Sequence, residues 1–187
     1  MAKENQRVAL SRRLLKEALI ELLHHKCIHN ISIRELCTTA GINRTTFYRH
    51  YQTPADVFLE LQMEFVSDFQ RTHPLPGSPD GMRRYSSALC GYLYEHRDTV
   101  RLFLLSHTSA DFAVLFARLS QEFFTARTVL YKGSPIDEDT RRLICTLFSQ
   151  GLYAVVRQWI LEDVPKSPEE MAELICGFFI QDFRIQH

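Results

Sequence analysis

The stretch AGINRTTFYRHY, residues 40–51, decides the fold of the first part of the chain. Gly41 suits the left-handed backbone conformation that ends a helix, and Asn43 is a residue type that caps the start of the next one. The pattern therefore predicts two short helices that meet across a three-residue turn, the second of them over residues 44–50.

The second of these helices has one apolar side and one polar side. Phe47 and Tyr51 stand four positions apart, which is the spacing of a buried helical face. The surrounding positions hold cations and hydroxyl groups: Arg44, Thr45, Thr46, Tyr48, Arg49 and His50. Two interpretations stand at this point: an ordinary solvated helix end, or an exposed face that binds a polyanion.

Two further helices are predicted before this turn. Apolar residues at helical spacing indicate an amphipathic helix over residues 10–23. Ser32 and Glu35 have the spacing of a capping box, which starts a second helix over residues 33–40. Three helices with a tight turn between the last two describe a helix-turn-helix unit, whose cationic third helix fits the major groove of DNA.

The rest of the chain is predicted to be helical as well. Thr53 as cap, Pro54 at the first helical position and Asp56 in the first turn start a fourth helix, and HPLPGSPDG, residues 73–81, is a loop. Further helices are predicted at about residues 80–96, 98–107, 110–131, 137–162 and 168–184. The fold class is thus all-α with about nine helices, as a helix-turn-helix domain over residues 1–52 and a helical bundle over residues 53–187.

Charge is distributed unevenly along the chain. The 187 residues include 22 basic and 22 acidic side chains, and 45% are hydrophobic, as in ordinary globular proteins. Residues 1–51 contain nine Lys or Arg against four acids, so they have a charge of +5 and the remainder has −5. Residues 1–51, which we call the basic head, thus precede an acidic remainder. This pattern favours a module that faces nucleic acid.

The cysteines and the apolar segments indicate the compartment. Five scattered cysteines without a CxxC pair predict neither a disulfide framework nor a thiolate metal site, and a reducing cytoplasm fits them best. The first residues lack a signal peptide, and no stretch reaches the roughly 18 apolar residues of a membrane span. We expect a soluble cytoplasmic protein without a membrane partner.

Enzyme signatures are absent from the sequence. There is no glycine-rich phosphate loop after a strand, no GxSxG and no HExxH. The best metal candidate is His24, His25 and His29, but the first helix is predicted to end there and only Cys27, on a different face, lies nearby. The chain is predicted not to be an enzyme, and neither a cofactor nor a metal is expected.

The residues from about 10 to 58 resemble the tetracycline-repressor (TetR) family of bacterial transcription regulators. The likeness rests on the core AG-x-x-x-x-T-x-Y-x-H-Y within residues 40–51 and on its flanking helices. The segment GLYAVVRQWILEDVPKSPEEMAELI, residues 151–175, is also similar to some members. The resemblance implies a nucleoid-associated DNA-binding regulator, a repressor more often than an activator.

The resemblance also implies which residues contact DNA. By position these are Arg34, Arg44, Thr45, Thr46, Tyr48, Arg49, His50 and Thr53. Arg44 is the candidate for base recognition, because a guanidinium pairs bidentately with guanine, whereas Tyr48 and His50 are candidate phosphate contacts. Arg49 is either a further contact or a solvated charge. Family members commonly place a phosphate-binding lysine where this sequence has Pro54.

A homodimer on a palindromic operator follows from the same resemblance, since one short helix contacts too few base pairs alone. The last two helices are the expected interface, through Leu147, Phe148, Gly151, Leu152, Val155, Trp159, Phe179 and Phe183. The alternative is that these side chains fill the intramolecular core, which we expect for about half of them.

A small-molecule effector is the remaining expectation from the family. Its pocket is placed among residues 80–131, with Tyr85, Tyr92, His107, Phe116 and Phe123 as candidate lining residues. The alternative is that these side chains only fill the bundle. A competing function is a helical co-regulator that acts through protein partners with weak DNA binding, and Pro54 keeps that alternative open.

Overall fold

The computed structural model of the chain describes residues 2–74, 79–106, 128–131, 134–135, 137–180 and 183–186. These residues form eight α-helices, which confirms the all-α fold class. The helices are α1 (Ala2–Leu23), α2 (Ile33–Ala40), α3 (Arg44–Tyr48), α4 (Pro54–Thr72), α5 (Pro79–Glu95), α6 (Arg97–Ser106), α7 (Glu138–Leu161) and α8 (Pro168–Ile180), and a short 3-10 helix spans Ile28–Asn30. Among the described residues, none of the helices combines the length and apolar character needed to cross a bilayer.

The chain divides into two compact units. The first holds the chain through Asp68 with a short segment beginning at Leu105, and the second holds the rest. The helix-turn-helix domain over residues 1–52 stays a prediction, because compactness divides the chain within α4 rather than before it. Glu60 of α4 bonds to α1, which explains why the first turns of α4 belong to the first unit.

The core of the first unit is built from the apolar faces of its four helices. Leu15 and Leu19 of α1, Leu36 of α2, Phe47 of α3 and Val57 of α4 are all fully buried. Each such side chain contributes about 1.5–3 kcal/mol by leaving water. Their mutual burial sets the orientation of α3, which is too short to be stable alone.

Local capping defines the turn between α2 and α3. Ser32 accepts the N–H of Glu35 at 3.2 Å, and Asn43 accepts the N–H of Thr46 at 2.7 Å. Gly41 lies in the left-handed region with φ 65° and ends α2, as its sequence position predicts. The predicted bounds of α2 are therefore confirmed.

Two predicted helix ends in the first unit differ from the structure. Helix α1 begins at Ala2 rather than at residue 10, so the polar N-terminal residues continue the helix. Helix α3 ends at Tyr48 rather than at residue 50, because the next turn tightens: His50 donates its N–H to the carbonyl of Phe47, three residues back, at 3.0 Å. The backbone N–H of Tyr51 also donates to the carbonyl of Phe47, and the Tyr51 side chain is buried in the core.

The core of the second unit lies between α5 and α8, which pack along each other. Cys90 of α5 and Met171 and Cys176 of α8 are buried there. Burial raises the pKa of the Cys90 thiol to about 12, so this cysteine is a packing residue that stays protonated. The indole N–H of Trp159 donates to the carbonyl of Lys166 at 3.0 Å and fixes the turn after α7.

A small antiparallel sheet adds to the helices. Strand β1 (Thr128–Tyr131) pairs with β2 (Ser134–Pro135) on one side and with β3 (Phe183–Gln186) on the other. The predictions of helix through residues 131 and 184 are therefore wrong at these strands. The β-branched and aromatic residues of these strands favour extended backbone. The pairing of β1 with β3, however, joins segments more than 50 residues apart, and no local pattern records it. The helical periodicity of the neighbouring residues therefore dominated the prediction. Most of the predicted helix over residues 110–131 lies outside the described residues.

Candidate nucleic-acid interface

The predicted DNA contacts form the exposed surface around α3. Phe47 is fully buried, whereas Tyr48, the next residue, is 59% exposed. Arg44, Thr45 and Arg49 are exposed, and Thr46 and His50 are half-buried at the sides of the helix. Arg34 on α2 and Thr53 before α4 are exposed as well. The fold thus directs the polar side of α3 outward and uses its apolar side as an anchor.

Seven of the nine cations of the basic head fall into two groups. Members of the first group pair with acids of the same unit. Lys26 lies 2.5 Å from Glu35, and Arg13 lies 3.5 Å from Glu17. Arg12 and Lys16 both reach Glu60, at 2.5 and 3.2 Å. These four charges are balanced internally.

The second group is Arg34, Arg44 and Arg49, which surround the turn between α2 and α3. Within the part of the chain that the structure describes, no acid pairs with any of the three. Their charge is therefore free to attract an anion, and all three are predicted DNA contacts. The charge count alone does not separate these residues from the four paired cations.

The start of α4 offers little to a phosphate. The carboxylate of Asp56 accepts the backbone N–H groups of Gln52 and Thr53, both at 2.8 Å. Pro54, the first residue of the helix, has no N–H at all. The N–H groups of Gln52 and Thr53, just before this helix, are thus satisfied by an internal carboxylate, and of Thr53 only the side chain is left to donate to DNA.

A network of charged and phenolic groups connects Tyr51, three residues beyond the end of α3, to α1 and α4. Glu60 accepts the hydroxyl of Tyr51 at 2.8 Å, and the guanidinium of Arg12 contacts the same hydroxyl at 3.3 Å. Lys16 bonds to Glu60 and also to Glu64. We call Glu60 and its three partners, Arg12, Lys16 and Tyr51, the Glu60 network.

The network shifts the pKa values of Glu60, Tyr51 and Arg12. Burial alone would raise the pKa of Glu60, but hydrogen bonds from Arg12, Tyr51 and Lys16 outweigh burial and hold that pKa below its ordinary value. Burial, helped by the bond to Glu60, raises the pKa of Tyr51 to about 12. The hydrogen bonds to Glu60 and Tyr51 raise the pKa of Arg12. Glu60 is therefore charged and Tyr51 neutral across the physiological range.

Sequence analysis did not identify Glu60 as a functional candidate. Its partners Arg12 and Lys16 are 48 and 44 residues away in the chain, and no local motif records pairs at that distance. The sequence did offer one signal: Glu60 is an acid that lies between Phe58 and Leu61, beside the predicted apolar stripe of α4.

The other predicted sites are only partly described. Leu147 is 71% exposed and Gly151 is exposed, Phe148, Leu152 and Val155 are half-buried, and Trp159 is buried beside Tyr94. The side chains of Phe179 and Phe183 lie outside the described residues. Of the predicted pocket, Tyr85 and Tyr92 each contact the ring of Phe69 with centroids 5.3 Å apart, while His107, Phe116 and Phe123 lie outside.

The histidines considered for a metal do not meet in one place. His24 and His25 follow the end of α1, and His29 lies in the 3-10 helix, all of them exposed. Among the described residues there is no group of three or more His, Cys, Asp or Glu side chains with the arrangement of a metal site.

Comparison with known families gives two matches that together span most of the chain. Residues 15–61 match the model described as bacterial regulatory proteins, tetR family. Residues 82–181 match the model described as transcriptional regulator C-terminal region. The first match includes α2, α3 and the Glu60 network residues Lys16, Tyr51 and Glu60, and the second runs from α5 into α8.

Individual relatives are distant in sequence. The chain is 20% identical over 167 residues to the uncharacterized HTH-type transcriptional regulator YxbF of Bacillus subtilis (strain 168), which covers 86% of this chain and 42% of that protein. The chain thus spans less than half the length of this curated relative.

Two solved structures have a similar fold. A TetR transcriptional regulator from Streptococcus agalactiae 2603V superposes with a TM-score of 0.63 at 16% identity, covering 95% of this chain and 97% of that one. The dihydroxyacetone kinase operon activator DhaS gives a TM-score of 0.53 at 19% identity, covering 90% and 93%. At 16% and 19% identity, the likeness to these two structures shows the fold alone.

Proposed function

The chain belongs to the TetR family of DNA-binding transcriptional regulators, and from this membership we propose that it acts as a homodimer that binds a palindromic operator through α3. Repression is the proposed sign of regulation, and the bacterial cytoplasm is the proposed compartment. The single observation that supports operator binding most strongly is the group of unpaired cations around α3.

Arg44 is the proposed base-contacting residue. It is the first residue of α3, it is exposed, and no acid among the described residues pairs with it. A guanidinium in the major groove donates two hydrogen bonds to the O6 and N7 atoms of guanine. Tyr48, the last residue of α3, and His50, two residues beyond it, are proposed to bind phosphates and so to set the register of α3 on the DNA.

Dimerisation is proposed through α7 and α8. Leu143 and Leu147 are each 71% exposed although they stand one turn apart on the same side of α7. Exposed leucines at this spacing favour a second apolar surface over water. Two copies related by a two-fold axis would present two α3 helices to successive half-sites of the operator.

A small-molecule effector is proposed to act through α4. This helix has residues in both compact units, so an effector bound to the second unit that tilts α4 would change the separation of the two recognition helices. A dimer in which the distance between the two α3 helices stays the same when an effector binds would contradict this mechanism.

The experiment that tests operator binding is selection from random duplex DNA with the purified protein, followed by titration of the selected sequence at several salt concentrations. Arg44→Ala is compared with wild type, and Arg13→Ala is the matched control because Arg13 is an exposed cation that pairs with Glu17. We expect a palindromic motif. Arg44→Ala should weaken binding by about 1–3 kcal/mol and relax selectivity at one position.

Two outcomes would contradict the proposal. Equal losses for Arg44→Ala and Arg13→Ala would mean that only total charge matters and that α3 does not contact bases. No motif from a folded dimer would favour the co-regulator that acts through protein partners, for which the occupied N–H groups at the start of α4 are the supporting observation. Binding that weakens steeply with salt separates the regulator from this alternative.

A further inference from the structure

The Glu60 network holds the last anchor of the recognition helix. Tyr51 lies three residues beyond the end of α3, and its ring packs on Phe47 with centroids 5.8 Å apart. Its hydroxyl reaches past the core to Glu60 on α4 and to Arg12 on α1. The phenol is therefore fixed at both ends, by packing on the α3 side and by hydrogen bonds on the α1 and α4 side.

Both oxygens of the Glu60 carboxylate are occupied. One accepts from Arg12 and Tyr51, and the other accepts from Lys16 at 3.2 Å. The Glu60 side chain is only 18% exposed, so its bonds lose less strength to solvent than those of surface pairs. A carboxylate in this position connects three segments of chain, because it lies on α4 and accepts hydrogen bonds from α1 and from Tyr51.

We propose that Glu60 is a positioning residue for DNA recognition: by holding Tyr51, Arg12 and Lys16 together it fixes the angle of α3 against α1 and α4. This inference rests on the proposed operator binding through α3. Its physical basis is directionality, because apolar packing tolerates small rotations of a five-residue helix whereas a hydrogen-bonded carboxylate with three partners does not. A small rotation displaces Arg44 from the base edge that it would contact.

The proposal also assigns a role to the paired cations. Arg12 and Lys16 belong to the basic head, but both pair with Glu60, and Lys16 also pairs with Glu64. They are therefore expected to orient the helix without binding phosphates. Removing the charge of Glu60 would take the paired acid from Arg12 and leave Lys16 with Glu64, which provides a way to distinguish positioning from charge.

The test compares Tyr51→Phe, Glu60→Gln and their double variant with Glu64→Gln as the control. Tyr51→Phe deletes only the hydroxyl and keeps the ring in the core. Glu64 is the matched control because it bonds to Lys16 from a more exposed site, 51% against 18% for Glu60. Each protein is titrated with the selected operator and with a random duplex at several salt concentrations, at a temperature where thermal unfolding shows it to be fully folded.

Positioning predicts a specific pattern of results. Tyr51→Phe and Glu60→Gln should each weaken operator binding by roughly 3- to 30-fold, and the double variant should lose little more than the worse single variant because both remove the same interaction. Binding to the random duplex should stay unchanged, since it depends on phosphate charge. Glu64→Gln should bind the operator like wild type.

Three outcomes would overturn the inference. Wild-type operator affinity in Tyr51→Phe would show that the network does not orient α3, and this variant decides alone if Glu60→Gln fails to fold. Equal losses on operator and random DNA would show that the network supports DNA binding in general and does not set the angle at which α3 contacts bases. Tighter binding with a steeper salt dependence in Glu60→Gln would show that the freed Arg12 reaches phosphates. If wild type selects no operator, the proposed function itself fails and the inference fails with it.

Discussion

Phe47 and Tyr48 are consecutive residues of one short helix, their rings lie 5.6 Å apart at 82°, and they face opposite environments. Phe47 is fully buried while Tyr48 is more than half exposed. This edge-to-face contact joins the anchor of α3 to its outward surface. A substitution at either position therefore tests a different property of the same helix, stability for Phe47 and DNA binding for Tyr48.

Phe47→Ala should destabilise the first unit. Removing a fully buried phenylalanine costs about 3–5 kcal/mol, from the lost transfer energy and the cavity that remains. Tyr48→Ala is the control, and it should change the free energy of unfolding by about 0.5 kcal/mol or less while weakening DNA binding. Urea unfolding followed by circular dichroism measures both. A similar loss of stability in the two variants would contradict the assignment of Phe47 as the anchor.

Gly41→Ala should destabilise the turn through its backbone alone. The residue has φ 65°, and a Cβ built there meets no atom within 4 Å, so the expected cost is the left-handed conformation, about 1–2 kcal/mol. Gly41→Asn is the control, because asparagine tolerates this region better, and it should recover part of the loss. If alanine and asparagine cost the same in urea unfolding, backbone conformation is not the reason for glycine here.

Much of the first unit could be predicted from sequence because its signals are local. Ser32, Gly41 and Asn43 act on groups within four residues, so their caps follow from position alone. Glu60 could not be predicted, since its role depends on side chains more than 40 residues away. Strand β1 was missed for the same reason: only pairing with β3 distinguishes Thr128–Tyr131 from the end of a helix.

Pro54→Lys should strengthen operator binding. The start of α4 lacks a cation, and Asp56 satisfies the N–H groups of Gln52 and Thr53, so a lysine would supply the missing phosphate contact. We expect about one additional unit in the slope of log affinity against log salt. Pro54→Ala is the control for the backbone N–H without the charge. Identical slopes for lysine and alanine would place the start of α4 away from the DNA backbone.

The Glu60 network should make stability depend on pH only outside the neutral range. Because the folded-state pKa of Glu60 is lowered, its contribution is complete above its ordinary value of 4.5 and is lost as the pH falls through the lowered value. The pKa of Tyr51 is raised to about 12, so its contribution is complete below its ordinary value of 10.0 and is lost as the pH rises through 12.

Urea unfolding of wild type and Glu60→Gln from pH 3 to pH 8 checks the acid side of this expectation. The difference in unfolding free energy between the two proteins should be constant from about pH 5 upward and should shrink below it. A difference that instead changes around pH 6–7 would assign the linkage to histidines, of which His50 lies beside Tyr51 with ring centroids 6.4 Å apart.

Leu147→Glu should dissociate the proposed dimer. Leu143, Leu147 and Gly151 follow one another at four-residue intervals along α7. Apart from the backbone of its own helix, a Cβ at Gly151 would meet no atom of the described residues within 4 Å. A glycine costs about 1 kcal/mol relative to alanine inside a helix, which is balanced if a second copy approaches there.

Sedimentation at several protein concentrations measures the effect, with Leu59→Glu as the matched control because it places the same charge on an exposed leucine of α4. Leu147→Glu should sediment as a monomer with unchanged helix content and should bind the palindromic operator more weakly, whereas Leu59→Glu should stay dimeric. Gly151→Ala separates the two roles of that position: if a partner helix approaches closely, alanine stabilises the helix and weakens the dimer. A wild-type dimer in all three variants would place the interface elsewhere on the chain.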